Sequence, residues 1–225
     1  MSATHGRSLR DAIDAVDPAP AAASPRLTHA QLAASLDQTL SRWNGRAPLW
    51  VFGYGSLIWK PELQFDRRLP ARVFGYHRRL CLRSVTYRGT QECPGLVAGL
   101  DRGGSCAGVL YRLQARGLRA QLARLWEREL FLGSYVPRWL TATRLDARHD
   151  RPARVAALAF VVRREAPNYC PALDEDTIVD VLRRACGRYG TSLEYLQHTV
   201  AALRDLGLCD PHLERLARIA TAARL

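Results

Sequence analysis

Two short stretches of the chain hold residue types whose spacing can do chemistry. The first is Val51-Phe52-Gly53-Tyr54-Gly55-Ser56-Leu57-Ile58-Trp59, where the apolar run Leu49-Trp50-Val51-Phe52 gives way to glycines. Uninterrupted β-branched and aromatic residues suit a strand buried on both faces. Gly53 and Gly55 allow close approach of backbone to a ligand, and successive N–H groups turned inward form an anion-binding nest. Tyr54 and Ser56 set hydroxyls beside those amides. A dinucleotide fingerprint fits poorly, because Ile58 stands where its third glycine belongs and Pro61 interrupts any helix that follows. Local sequence leaves two readings open, a tight turn between core strands and an anion nest.

The second stretch is a helical stripe. Leu118, Leu122, Leu125 and Leu132 follow the 3.6-residue period of one inward face, and Glu129 lies on that face. Glu127 lies on the opposite side, beside Arg124 and Arg128. A carboxylate among leucines either finds a partner or shifts its pKa upward. It is therefore either half of an ion pair with an arginine, or a general base tuned toward neutrality.

The elements that must position these groups follow from pattern. Residues 1–27 contain the Pro/Ala-rich run Asp17–Pro25 and are expected to be flexible. Thr28-His29-Ala30-Gln31 has the form of a capping box that opens a helix reaching about Trp43, with Leu32, Leu36 and Leu40 on one stripe. That segment, 28–46, precedes a main domain over 47–225. From Leu49 to Leu113 short apolar runs, 71–75, 79–82 and 108–111, are separated by glycine turns such as Arg102-Gly103-Gly104. A helix is expected over 117–132, strands near 139–145 and 155–162, and three capped helices over 174–185, 191–206 and 211–222. The order predicts an α+β protein with a small mixed sheet or barrel, flanking helices and a helical C-terminal tail.

At 225 residues, with 48% hydrophobic content, the chain is long enough for a full core. No apolar run is long enough for a membrane span and the N-terminus lacks a signal-peptide core, so a cytoplasmic protein is expected. Six cysteines without Cys-x-x-Cys spacing or paired histidines read as free thiols, with no metal site. The formal net charge of +12 comes almost wholly from dispersed arginines, Lys60 being the only lysine. With no helix-turn-helix or RNA-binding signature, nucleic acid is not an expected partner, although the charge can draw in small anions.

Taken together, the strand and loop 51–59, Tyr87-Arg88-Gly89-Thr90 with Pro94-Gly95, Leu125-Trp126-Glu127-Arg128-Glu129 with Gly133-x-Tyr135, and Pro167-Asn168-Tyr169 resemble the ChaC-type γ-glutamylcyclotransferases. The resemblance runs from about Leu49 to Leu216; Leu130 stands where that family carries methionine, and residues 1–46 lie outside. It implies a γ-glutamylcyclotransferase-like barrel and a cofactor-independent lyase that converts glutathione to 5-oxoproline and Cys-Gly. In that reaction the α-amine of the γ-glutamyl group attacks its own γ-carbonyl. The resemblance implies Glu129 as general base and acid, with Gly53, Tyr54, Gly55, Ser56, Leu57 and Ile58 holding substrate. Arg83 and Ser84 are candidates for a substrate carboxylate, and Tyr135 and Tyr169 for hydroxyls at the pocket mouth. Two alternatives stay open, a cyclotransferase for another γ-glutamyl amine or amino acid, and a non-catalytic binder of anionic small molecules. The oligomeric state is not legible.

Overall fold

The strand after Leu49 meets its expectation at once: all four residues of β1 (Trp50–Gly53) are buried. In the computed structural model, which describes residues 26–146 and 153–222, β1 is one stave of a closed five-stranded barrel in the order β1-β3-β2-β4-β5. Here β2 is Phe65–Ser84, β3 Gly95–Leu113, β4 Tyr135–Arg144 and β5 Arg154–Val162. β1 pairs parallel with β5, and every other pairing is antiparallel. Residues 1–25, the bulk of the segment expected to be flexible, lie outside the described residues.

The short runs expected between 71 and 111 are instead parts of two strands of 20 and 19 residues that form one long hairpin. The glycines taken for a turn lie inside it. Tyr76 pairs with Arg102 and Phe74 with Ser105, which leaves Gly75 facing Gly103 and Gly104. All three have φ between +63° and +102°. Glycine alone adopts this conformation without strain, so the trio makes a bulge that bends the hairpin around the barrel instead of ending a strand.

Alternation closes the barrel. Trp50, Phe52 and Tyr54 point inward with Ala71, Val73, Ala142, Ala157 and Ala159, whose small side chains suit a narrow interior. Val51, Leu158 and Phe160 point outward against α1 (His29–Leu40) and α2 (Leu118–Leu130). α1 opens on the predicted capping box, with Thr28 accepting from Gln31 N–H, and buries Leu32 and Leu36 in that layer. Trp126 of α2 donates to Ser35 Oγ, and Trp139 of β4 to Thr39 O.

A second layer covers the other flank with α3 (Glu175–Arg184), α4 (Ser192–Arg204) and α5 (Pro211–Ala222), packed on Leu80, Leu96 and Ala98. Between α3 and α4 a two-residue ladder, β6 (Cys186–Gly187) with β7 (Gly190–Thr191), makes a small hairpin. The expected N-caps Asp174 and Thr191 are in place, the latter in a reciprocal capping box with Glu194.

Candidate active site

At the end of β1 the chain makes a single 3-10 turn, Ser56–Ile58, instead of continuing into a helix. Its carbonyls are tied inward. Tyr111 OH donates to Leu57 O (2.8 Å) and Ile58 O (3.1 Å), and the Arg78 guanidinium donates to Tyr54 O. With the carbonyls so committed, the N–H groups of Gly55, Ser56 and Leu57 bond to no acceptor among the described residues. Gly55, Ser56 and Leu57 line a pocket of about 270 Å³ together with Tyr54, Ala98, Glu129, Tyr135, Phe160 and Tyr195. Gly53 and Ile58, expected beside substrate, support the turn from behind. A Cβ on Gly53 would meet Leu57 and Val109 at 3.1 Å, and Ile58 is buried in the outer core layer.

Glu129 enters from α2. Gln121, Leu122, Leu125, Trp126 and Leu130 fill the helix's inner face, so the 3.6-residue period carries Glu129 to the pocket in the last turn. Gly133, at φ +65°, stops the helix and turns the chain so that Tyr135 begins β4 beside the same pocket. The Glu129 side chain is only 13% exposed. Burial pushes its pKa up, the neighbouring Arg128 partly pulls it back, and Glu62 pushes it further up.

Arg128 departs from the helical-wheel reading that set it on the opposite face. Its long side chain folds back over the helix, so that Nε lies 3.1 Å from Glu129 Oε1 while Nη2 donates to Ser56 Oγ at 3.1 Å. Nη1 reaches Glu62 Oε2 (3.0 Å) and Lys60 O (2.6 Å). Both readings of Glu129 thus meet in one group, an ion-paired carboxylate that also faces a pocket. Glu127 is exposed, as expected.

Three tyrosines wall the pocket. Tyr54 OH donates to Phe160 O (2.6 Å) and Tyr135 OH to Ala98 O (2.8 Å). Tyr195 OH instead accepts from Ala98 N–H (3.2 Å), which leaves its own proton without an acceptor among the described residues. Burial raises all three phenols, Tyr195 to about 12 and the other two well above their ordinary value, so each is a neutral hydroxyl at physiological pH. Tyr195, on α4 and 66 positions beyond Glu129, was not singled out from sequence. A Cβ on Gly55 would come within 2.8 Å of its oxygen, so glycine at 55 leaves the phenol its room.

Three expected site residues stand elsewhere. Arg83 donates to Pro167 O (3.2 Å) and lines a separate cleft of about 310 Å³ with Pro94, Leu96 and Cys170. Ser84 is buried and accepts from Arg88 N–H (3.1 Å). Tyr169 OH donates to Asp101 Oδ2 (2.8 Å), a buried carboxylate that also accepts from Arg79 (3.2 Å) and Arg164 (2.7 Å). Burial works against ionisation of Asp101, but the Arg164 and Tyr169 hydrogen bonds overcome it and hold its pKa below the usual range. Arg83 and Asp101 pin the 163–171 segment to the barrel, and Ser84 holds the start of the β2–β3 connection. Arg83, Ser84 and Tyr169 sit close in the chain to motif residues, but the barrel turns them away from the Glu129 pocket.

The closed five-stranded barrel with flanking helices and a helical C-terminal layer is the γ-glutamyl cyclotransferase fold. The chain superposes on a glutathione-specific γ-glutamyl cyclotransferase from yeast with a TM-score of 0.71 over 79% of this chain and 97% of that one, at 20% identity. A family model described as ChaC-like protein matches residues 49–223, and the chain belongs to that family. Among its relatives, the glutathione-specific γ-glutamylcyclotransferase of Escherichia coli K12 is 37% identical over 186 residues, covering 83% of this chain and 78% of the relative. The human glutathione-specific γ-glutamylcyclotransferase 1 is 34% identical over 178 residues, covering 77% and 78%.

Proposed function

We propose that the protein cyclises the γ-glutamyl group of glutathione, releasing 5-oxoproline and Cys-Gly, with Glu129 as base and then acid. The observation that carries this reading is the pairing, across one small pocket, of a buried carboxylate with a turn whose three N–H groups bond to nothing else among the described residues. The naming of relatives for the same activity supports the substrate.

The α-ammonium of a γ-glutamyl compound is mostly protonated at neutral pH and cannot attack. Glu129 takes one of its protons, the freed amine adds to the γ-carbonyl carbon, and a five-membered ring forms. Nucleophile and electrophile belong to one molecule, so holding the chain folded supplies much of the rate. Negative charge gathers on the carbonyl oxygen, where Tyr195 OH donates its uncommitted proton as a hydrogen bond. A fixed donor at developing charge lowers the barrier by a few kcal/mol, while the Gly55–Leu57 amides hold the substrate's α-carboxylate and fix the head group beside Glu129. Protonated Glu129 then delivers its proton to the departing amide nitrogen and the C–N bond breaks. The carboxylate takes the second proton of the ring nitrogen and passes it to the amine of Cys-Gly, which leaves as an ammonium and returns Glu129 to its ionised form.

The test is release of 5-oxoproline from glutathione by the purified protein, and its loss in Glu129→Gln with the fold retained by circular dichroism. A Glu129→Gln variant that keeps wild-type turnover would falsify the assignment of the base.

A further inference from the structure

Next to the pocket lies an exposed cluster that the ring closure does not use. Tyr189, at the tip of the β6–β7 hairpin, is 58% exposed and Tyr87 39%, and their rings stack at 5.2 Å with planes 3° apart. Lys60 Nζ stands 5.8 Å from the Tyr189 ring centre and the Arg188 guanidinium 5.9 Å. The platform is fixed by backbone. Arg188 N–H donates to Thr86 O (3.0 Å) and Tyr189 N–H to Tyr87 O (2.9 Å). Gly187 abuts the β2–β3 connection so closely that a Cβ would fall 2.5 Å from Gly89 N.

The cluster is joined to the pocket on two sides. Lys60 N–H donates to Ser56 O (2.8 Å), and Lys60 O accepts from Arg128, whose Nε touches Glu129. Trp59, the residue before, packs its ring edge-on to Tyr195 (6.1 Å), and the Arg88 guanidinium stands over both rings at 5.8 and 5.6 Å. One arginine side chain therefore separates the carboxylate at the reacting end from the backbone that carries Lys60.

The substrate has a second charged end. With the γ-glutamyl half at Glu129, the departing Cys-Gly extends about 7 Å, two residues of extended chain, and ends in a carboxylate. Resting on the proposed glutathione activity, we propose that Lys60 and Arg188, set on the Tyr87–Tyr189 platform, form the subsite for that terminal carboxylate. Lys60 already shares Glu62 with Arg128 (3.4 and 3.0 Å), so a substrate carboxylate there exchanges one exposed pair for another. Arg188 has no acidic partner among the described residues and supplies the unmatched positive charge. The subsite favours a γ-glutamyl dipeptide extension over γ-glutamyl amines, which carry no charge at that distance.

The test compares glutathione with its C-terminal carboxamide on the wild-type protein and on Lys60→Met/Arg188→Met, which keeps the aliphatic stems and all backbone contacts. The wild type should show a KM about tenfold higher for the amide, the scale of one charge-assisted contact, with kcat little changed. The double variant should raise KM for glutathione to the level of the amide and leave the amide where it was. Equal KM values in the wild type, or a variant that weakens both substrates alike, would overturn the subsite. If neither compound is turned over, the proposed activity itself fails. The subsite is then read from titration calorimetry of the two compounds on Glu129→Gln, where equal affinity overturns it and a preference abolished by the double variant upholds it.

Discussion

Glu129 is under opposed demands, since a base works when ionised while burial disfavours the ionised form. Its raised pKa means that kcat/KM falls as pH drops through that value, later in an acid titration for Arg128-containing protein than without it. Arg128→Ala removes the charge that lowers Glu129, so the acid limb of the pH–rate profile should move to higher pH, with a higher KM from loss of the Ser56 contact; an unmoved limb would show that Arg128 does not tune the base. The same shift has a stability side. Between the unfolded and the raised folded pKa the native state binds the extra proton, so stability falls as pH rises through that window and the deficit persists at neutrality. Glu129→Gln should therefore lower kcat by about 10³-fold while leaving the thermal midpoint at pH 7 unchanged or higher. A Glu129→Gln protein with a clearly lower midpoint would show the ion pair to be net stabilising. The sequence legibly placed Glu129 on an inward stripe because helical period fixes direction. It misplaced Arg128 because a long flexible side chain can end far from the face on which its Cα sits.

At the scale of elements, the turn after β1 depends on one buried cation. Arg78, whose side chain is 2% exposed, donates to Tyr54 O, Ala107 O and, at 2.5 Å, to Asp210 Oδ2 at the start of α5. It thus ties the amide-bearing turn, β3 and a C-terminal helix together. Arg78→Met should destabilise the protein by about 3 kcal/mol, the scale of stranding a buried partner, and should raise KM as well, measured by denaturant unfolding and steady-state kinetics. A variant that loses stability but keeps KM would show the turn to be held without it. Gly55→Ala tests the other wall: its Cβ would crowd Tyr195 OH, so activity should fall by at least about tenfold with the fold retained. Helix caps at Thr28, Asp174 and Thr191 could be read directly, since capping is local chemistry over three or four residues. The 20-residue β2 could not, because its bulge glycines look like turn glycines until the opposite strand is known.

For the whole molecule, α1 lies outside the family match at 49–223, yet it is built into the core: Leu32 and Leu36 are buried against Leu122 and Trp126. Each buried leucine contributes about 2 kcal/mol. A chain beginning at residue 47 should thus lose at least about 10 °C of thermal midpoint by calorimetry; an unchanged midpoint would make α1 dispensable. Among the described residues no helix is long and apolar enough to cross a membrane. The amino-acid sequence by itself determined the helices and their caps, the doubly buried first strand, the order of elements and the two motifs that carry chemistry, because period, capping and glycine placement act over a few neighbouring residues. Only the tertiary structure decided which side chains share the pocket. It brought Tyr195 from α4 to the Gly55 turn and folded Arg128 onto Glu129. It also turned Arg83, Ser84 and Tyr169 to other tasks. Closing a barrel sets residues far apart in the chain within one hydrogen bond of each other, and no local pattern encodes that distance.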